Sequence, residues 1–139
     1  MTSILGFSSE QATDELVAER VIAKAEASGV KDVVLVAHGG EDPTMGHRFG
    51  QELLPGETAG DAQDRAEAMC AIARARGLEA TPQTVMGAEG ASVTACCERY
   101  SPSAIVIGTP RHRLVGDLWD AEGVRAAKHH CDDVDALHD

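Results

Sequence analysis

The chain has 139 residues, of which 43% are hydrophobic and 3% aromatic, so a single domain (1–139) with an aliphatic core is expected. Its net charge of −11 at pH 7 disfavours binding to nucleic acid or anionic membranes, because both are negatively charged. No apolar run approaches a membrane span and no secretory leader follows Met1, so we expect a soluble, cytoplasmic protein. Three of the 12 basic residues are Lys. This acidic, Lys-poor composition fits a salt-adapted source and an ordinary acidic cytosolic protein equally well.

The first predicted elements are a short strand and a long helix. The apolar run at 4–7 predicts the strand. Apolar residues at helical spacing predict a helix over Ser8–Ser28, with Ser8 as its N-cap and Gln11 completing a capping box. Gly29 follows as a helix stop.

Strands and helices continue to alternate through the middle of the chain. The β-branched run Asp32–Ala37 predicts a strand covered on both faces. Residues 39–60 are rich in Gly and Pro without a sustained period and predict a long loop. A helix is predicted over Asp61–Arg76, followed by a strand over Glu79–Met86. Pro82 within that strand predicts a position at the sheet edge, because proline cannot donate to a ladder.

The last third repeats the alternation. A helix is predicted over Ala88–Tyr100, a buried strand over Ala104–Ile107, a helix over Leu114–His130 and a short strand over Val134–Leu137. This order predicts an α/β fold: a doubly wound, mostly parallel five-stranded sheet with helices on both faces.

One segment points to a ligand site. In SAIVIGTPRH at 103–112 the predicted strand ends at Gly108, where a polar loop begins. Open α/β sheets hold phosphates at such strand ends.

This segment resembles the universal stress protein family, as do ILGFSSE at 4–10, VLVAHGG at 34–40 and VMGAEGASVTACCERYSPSAIVIGT at 85–109. The resemblance implies the strand order 3-2-1-4-5, a homodimer, and ATP or AMP bound between the first and fourth strands. The implied edge position of the third strand agrees with its proline.

The nucleotide motif of the family is mostly missing. Its ATP-binding members carry an acidic residue at the end of the first strand and the pattern G-x2-G-x9-G-[ST] after the fourth. Here Gly108 matches the first glycine, but Arg111 stands at the second, and Ala121 and Glu122 stand at the last two positions. Phe7 replaces the acidic residue. We therefore expect weak or absent nucleotide binding and no resident cofactor.

Should a nucleotide bind, the resemblance implies contacts from Phe7, Ser8, Ala37, Gly108, Arg111, His112 and Gly123. Arg111 and its basic neighbours have the chemistry to grip a phosphate, although pairing with surface carboxylates is the favoured interpretation. Phe7 either lines the crevice or packs in the core, and the sequence leaves both open.

Other clusters favour structural interpretations. Adjacent Cys96 and Cys97 on a helix cannot form a disulfide and are expected to be buried. The run His129–Asp133 lacks the helical spacing of zinc ligands, so no metal site is expected. No motif assembles a nucleophile, a base and an oxyanion hole, and we expect no enzyme activity.

The leading hypothesis is a non-enzymatic stress-response protein that acts through unknown protein partners, as a homodimer. The acidic segment around Val134–Leu137 predicts either a different dimer interface or salt-dependent association. The alternative is an adenine-nucleotide (ATP or AMP) sensor that uses Gly108, Arg111 and His112. A small metal-binding or enzymatic module ranks third.

Overall fold

A five-stranded parallel sheet organises the molecule. The computed structural model describes residues 2–39, 59–109 and 122–138. Within them the order is β3-β2-β1-β4-β5, and every neighbouring pair is parallel. The order confirms the prediction, including the edge position of the strand that contains Pro82. The strands are β1 (Ser3–Ser8), β2 (Asp32–His38), β3 (Glu79–Val85), β4 (Ala104–Thr109) and β5 (Val134–His138).

Four described α-helices cover the two faces of the sheet. Helices α1 and α2 pack on one face, and α3 and α4 pack on the other. This arrangement confirms the predicted α/β class, because a parallel sheet needs helices on both faces to bury its strands. The helices are α1 (Asp14–Ser28), α2 (Ala59–Arg74), α3 (Glu89–Tyr100) and α4 (Glu122–His130).

Alternation along the strands divides the core into two clusters. In β1, Ile4 belongs to the cluster under α1 and α2, whereas Leu5 and Phe7 belong to the cluster under α3 and α4. Successive strand side chains point to opposite faces, so each apolar strand serves both clusters. Both clusters are mainly aliphatic, as the low aromatic content predicts, and Phe7 is fully buried in the second.

The start of the first helix differs from the prediction. Ser8 is the last residue of β1, and Gln11–Thr13 form a short 3-10 helix before α1 begins at Asp14. The assignment of Ser8 as helix N-cap is therefore wrong. Ser8 pairs with both neighbouring strands, and this pairing extends β1 past the apolar run. The predicted stop is confirmed, since Gly29 caps α1 with a left-handed φ of 72°.

The remaining boundaries shift by a few residues. Helix α2 begins at Ala59 and ends at Arg74, whereas the prediction ran over Asp61–Arg76. The predicted loop at 39–60 lies largely outside the described residues, as does the first part of the helix predicted over Leu114–His130. Among the helices that the structure describes, none is long and apolar enough to span a bilayer.

Candidate functional site

The carboxyl ends of β1, β2 and β4 meet where the strand order reverses. The ladders place Ser8 beside Ala37 of β2 and beside Gly108 of β4. Open α/β sheets bind ligands at this point, because neighbouring connections leave toward opposite faces. Four of the predicted contacts therefore lie together at the carboxyl ends of these strands: Phe7, Ser8, Ala37 and Gly108.

Gly108 lies against the start of α1. A Cβ atom on Gly108 would be 2.6 Å from Val17 Cγ2 and 2.7 Å from Thr13 Cβ. Both distances are shorter than carbon atoms tolerate, so only glycine lets α1 pack this closely on β4. The Gly108 carbonyl accepts hydrogen bonds from the Ser9 backbone N–H, at 3.1 Å, and from the Ser9 hydroxyl. Helix packing thus accounts for this glycine without a ligand.

Ser8 is fully buried, and its hydroxyl is committed to the protein. Its Oγ lies 2.6 Å from Asp14 Oδ1, 2.8 Å from Thr13 Oγ1 and 2.9 Å from the Glu10 carbonyl. The carboxylate of Asp14 is the nearest of these and is a charged acceptor, which favours donation of the single hydroxyl proton to it. Ser8 therefore holds the start of α1 in place.

A two-point ion pair joins Asp14 to Arg65 of α2. Arg65 Nε donates to Asp14 Oδ2 at 2.9 Å, and Arg65 Nη2 donates to Asp14 Oδ1 at 2.8 Å. The same guanidinium donates to the carbonyls of His38, at 3.0 Å, and Ser8, at 3.4 Å. The Arg65 side chain is 8% exposed and that of Asp14 is 16% exposed. One cation therefore ties the ends of β1 and β2 to both helices on this face.

This pair was not predicted from the sequence, although α2 carries a signal for it. Arg65 lies between Ala62 and Ala66 on the stripe that continues to Met69, and all four residues are buried. Arginine on a buried stripe is unusual unless it is paired. The partner on another helix could not be identified, because Asp14 lies 51 residues away in the chain.

Phe7 and His38 lie at the same carboxyl end of the sheet, but on its opposite face. Their ring centroids lie 5.6 Å apart, and Phe7 is fully buried. Nε2 of His38 lies 2.6 Å from the Gly87 carbonyl, whereas the buried Nδ1 has no hydrogen-bond partner. Of the two interpretations of Phe7, packing in the core matches its burial.

Gly123 lies on α4, packed against Glu89 at the start of α3. A Cβ on Gly123 would lie 3.0 Å from both Cγ and Cδ of Glu89 and 3.3 Å from its Oε2. Glu89 is 9% exposed, and its Oε1 has no hydrogen-bond partner. The predicted phosphate ligands Arg111 and His112 lie outside the described residues.

Three buried thiols carry no sign of activation. Burial raises the pKa of Cys70, Cys96 and Cys97 from 9.0 to about 11. The burial of Cys96 and Cys97 confirms the prediction for that pair. Since the thiolate is the reactive form, these cysteines are poor nucleophiles at neutral pH.

A cavity of about 400 Å³ opens beside the Asp14–Arg65 pair. Its lining includes Gln11, Asp61, Asp64 and Arg65. The two additional carboxylates make it a poor anion site. Across the described ranges, no cluster of three or more His, Cys, Asp or Glu side chains has the geometry to hold a metal ion.

The strand order, the helices on both faces and the reversal of strand order beside β1 together match one known architecture. The chain has the fold of the universal stress proteins. A universal stress protein from Archaeoglobus fulgidus, solved in complex with dAMP, superposes with a TM-score of 0.60 at 14% identity, over 99% of this chain and 97% of that chain. A second structure from Archaeoglobus fulgidus gives 0.62 at 15% identity, covering 99% and 93%.

A universal stress protein in complex with cAMP gives a TM-score of 0.57 at 12% identity, with 99% of this chain and 96% of that chain covered. No family model and no curated protein matches the sequence. The universal stress protein fold is thus established by three-dimensional similarity, which confirms the resemblance of the sequence segments at the level of fold.

Proposed function

We propose that this protein is a non-enzymatic stress-response domain of the universal stress protein type, with weak or absent nucleotide binding. The observation that carries this proposal is that the carboxyl ends of β1 and β4 are hydrogen-bonded to, and packed against, other parts of the protein. Ser9 binds the Gly108 carbonyl through its backbone and its hydroxyl, while Thr13 and Val17 press on Gly108. The two Ser9 donors that could bind a phosphate here already donate to the Gly108 carbonyl.

The proposed lack of enzyme activity is supported by the surroundings of Ser8 and of three buried cysteines among the described residues. Ser8 lies 2.6 Å from the carboxylate of Asp14, which Arg65 already holds, so no free base activates it. The raised pKa values of the three buried cysteines keep their thiols protonated. We expect no turnover when the pure protein is incubated with ATP or AMP and the products are separated by chromatography.

The second candidate function is an adenine-nucleotide sensor. Two of the proteins with the same fold were solved with dAMP and cAMP, which favours a mononucleotide over ATP as the ligand. In this candidate Gly108, Arg111 and His112 would form the phosphate loop in place of the family's full glycine pattern. Isothermal titration with AMP, cAMP and ATP separates the two. Sub-micromolar affinity for any of them would establish the sensor and reject weak or absent binding.

The proposal also includes a homodimer that acts through protein partners in the cytoplasm. Strand β5 lies at the edge of the sheet. Two aspartates in or next to this strand form ion pairs with α1: Asp135 lies 2.7 Å from Arg20, and Asp133 lies 2.8 Å from Lys24. These exposed pairs offset part of the acidic charge that opposes edge-to-edge pairing.

Light scattering in low and in molar KCl tests the dimer. We expect association to strengthen with salt, because screening weakens the repulsion between two acidic edges. A dimer that is independent of salt would contradict this interface, and a monomer at both salt concentrations would contradict dimerisation itself.

A further inference from the structure

Two cysteines lie at the same end of the layer that α3 and α4 form. Cys97 lies in the last turn of α3, three residues before the helix ends at Tyr100, and Cys131 directly follows His130, the last residue of α4. Each helix connects two parallel strands, so both helices run back along the sheet in the same direction. The helices also pack against each other. Their carboxyl ends therefore lie side by side, at the end of the sheet opposite the candidate ligand site.

Packing brings the two cysteines into one apolar cluster. Cys97 is 4% exposed within the cluster under α3 and α4, and Cys131 is partly buried against the same cluster. Sγ of Cys131 lies 3.3 Å from the carbonyl of Ser103, in the turn that leads from α3 into β4. The same turn is anchored on Cys97, whose carbonyl accepts a hydrogen bond from the Ser101 backbone N–H at 2.9 Å. Cys131 is thus packed beside the end of the helix that carries Cys97.

The ionisation of Cys97 responds to Cys131. Burial is the main cause that raises the pKa of Cys97 to about 11, and the charge of Cys131 is the second cause. One thiolate disfavours another only at short range, because a charge interaction weakens with distance. Cys96 is also buried, but the charges that affect its pKa are those of Cys97 and Arg99. Cys131 is therefore the neighbour of Cys97 rather than of Cys96.

We propose that Cys97 and Cys131 form a redox modification site, at which a reversible disulfide ties the end of α3 to the connection between α4 and β5. This connection is short, because Cys131 lies three residues before β5 begins at Val134. It is also joined to β4, since the Asp133 carbonyl accepts a hydrogen bond from the Ile105 backbone N–H at 2.9 Å. The disulfide would fix the edge strand β5 on its neighbour. A reducing cytosol opens such a bond and an oxidised thiol pool closes it, whether or not a nucleotide binds.

The oxidant in this proposal is a low-molecular-weight disulfide, here glutathione disulfide. Cys131 is partly exposed, and its thiolate attacks one sulfur of the oxidant, forms a mixed disulfide and releases one glutathione thiolate. The thiolate of Cys97 then attacks the Cys131 sulfur and releases the second glutathione. The cysteines lose two electrons and two protons, and the two glutathione molecules gain them. The raised pKa of Cys97 slows its attack, but a neighbouring thiol acts at a high effective concentration.

The test equilibrates the reduced, folded full chain in mixtures of glutathione and glutathione disulfide. Acid trapping, alkylation with iodoacetamide and peptide mapping by mass spectrometry then identify the state of each cysteine. The variants are Cys97→Ala and Cys131→Ser. Cys96→Ala is the matched control, because Cys96 is the adjacent buried thiol on the same helix. Circular dichroism establishes that each variant is folded, and mapping of the wild type identifies the bonded pair even if Cys97→Ala fails to fold.

We expect the wild type and Cys96→Ala to form a disulfide between Cys97 and Cys131 within one chain. Cys97→Ala should stop at the glutathione adduct of Cys131, and Cys131→Ser should form neither product. Oxidation should raise the thermal midpoint of the wild type by about 5 °C or more, because a cross-link constrains the unfolded chain. A wild type that stays reduced or stops at the adduct overturns the proposal. So does a bond between other cysteines, or an oxidised form that melts no later than the reduced form.

Discussion

Arg65 of α2 binds Asp14 of α1 through two hydrogen bonds of 2.9 and 2.8 Å, beside the carboxyl ends of β1 and β2. The guanidinium also donates to the last carbonyls of both strands, Ser8 and His38. One side chain thus joins four elements of the fold. Such a pair is costly to break, because the remaining charge stays buried without compensation.

Replacement of Arg65 by Ala tests this relationship. We expect a loss of about 3 kcal/mol in the free energy of unfolding, since Asp14 and two strand carbonyls lose their donor together. The measurement is urea denaturation followed by circular dichroism. Arg76→Ala is the matched control, because Arg76 is 54% exposed and its ion pairs with Glu19 and Glu26 are long, at 4.0 and 3.6 Å. That variant should lose under about 1 kcal/mol, and equal losses would contradict a special role for Arg65.

Gly108→Ala tests whether helix packing, and not a phosphate, requires glycine at the end of β4. The added Cβ would lie 2.6 Å from Val17 Cγ2 and 2.7 Å from Thr13 Cβ, so α1 has to move. Overpacking of this kind costs about 1–3 kcal/mol, and the loss should appear without any nucleotide present.

A double-mutant cycle provides the control for that experiment. Val17→Ala removes the nearer of the two obstructing atoms, so Gly108→Ala should cost less in that background than in the wild type. Denaturation midpoints of the four proteins measure the coupling. Strict additivity would show that Val17 does not cause the strain.

The buried thiols predict an order of chemical modification. Burial raises the pKa of Cys70, Cys96 and Cys97 to about 11, which lowers their thiolate fraction near pH 8 by about a hundredfold relative to an unburied thiol. Cys131 is partly exposed. With iodoacetamide we expect Cys131 to react first and the other three only after unfolding. Peptide mapping by mass spectrometry measures the order in which the cysteines are alkylated. Early labelling of Cys70 in the native protein would contradict the prediction.

The same shifts fix the direction of a pH effect on stability. The folded pKa of each buried thiol lies above its ordinary value of 9.0, so the unfolded chain loses its protons first as the pH rises. The stabilising contribution is therefore complete below pH 9 and is lost as the pH rises toward 11. A Cys70→Ala variant should show a smaller drop in its urea midpoint over this interval than the wild type.

The sequence by itself determined the order and class of the elements. Near-continuous apolar strands such as Ala104–Ile107 alternate with helical stripes, and Pro82 excludes β3 from the centre of a sheet. These signals are local, because they depend on side-chain period and on the missing N–H of proline. The same locality misled the assignment of Ser8, whose capping-box spacing is genuine but whose place in β1 is decided by pairing with strands far away in the chain.

The tertiary structure alone decided what surrounds the candidate site. Asp14 and Arg65 are 51 residues apart, and Glu89 meets Gly123 across two different helices. No local pattern links such residues, because their contact depends on how each helix packs on the sheet. Gly108 shows both sides: its strand follows from the local sequence, but the crowding by Thr13 and Val17 that requires glycine there appears only when α1 is packed against β4.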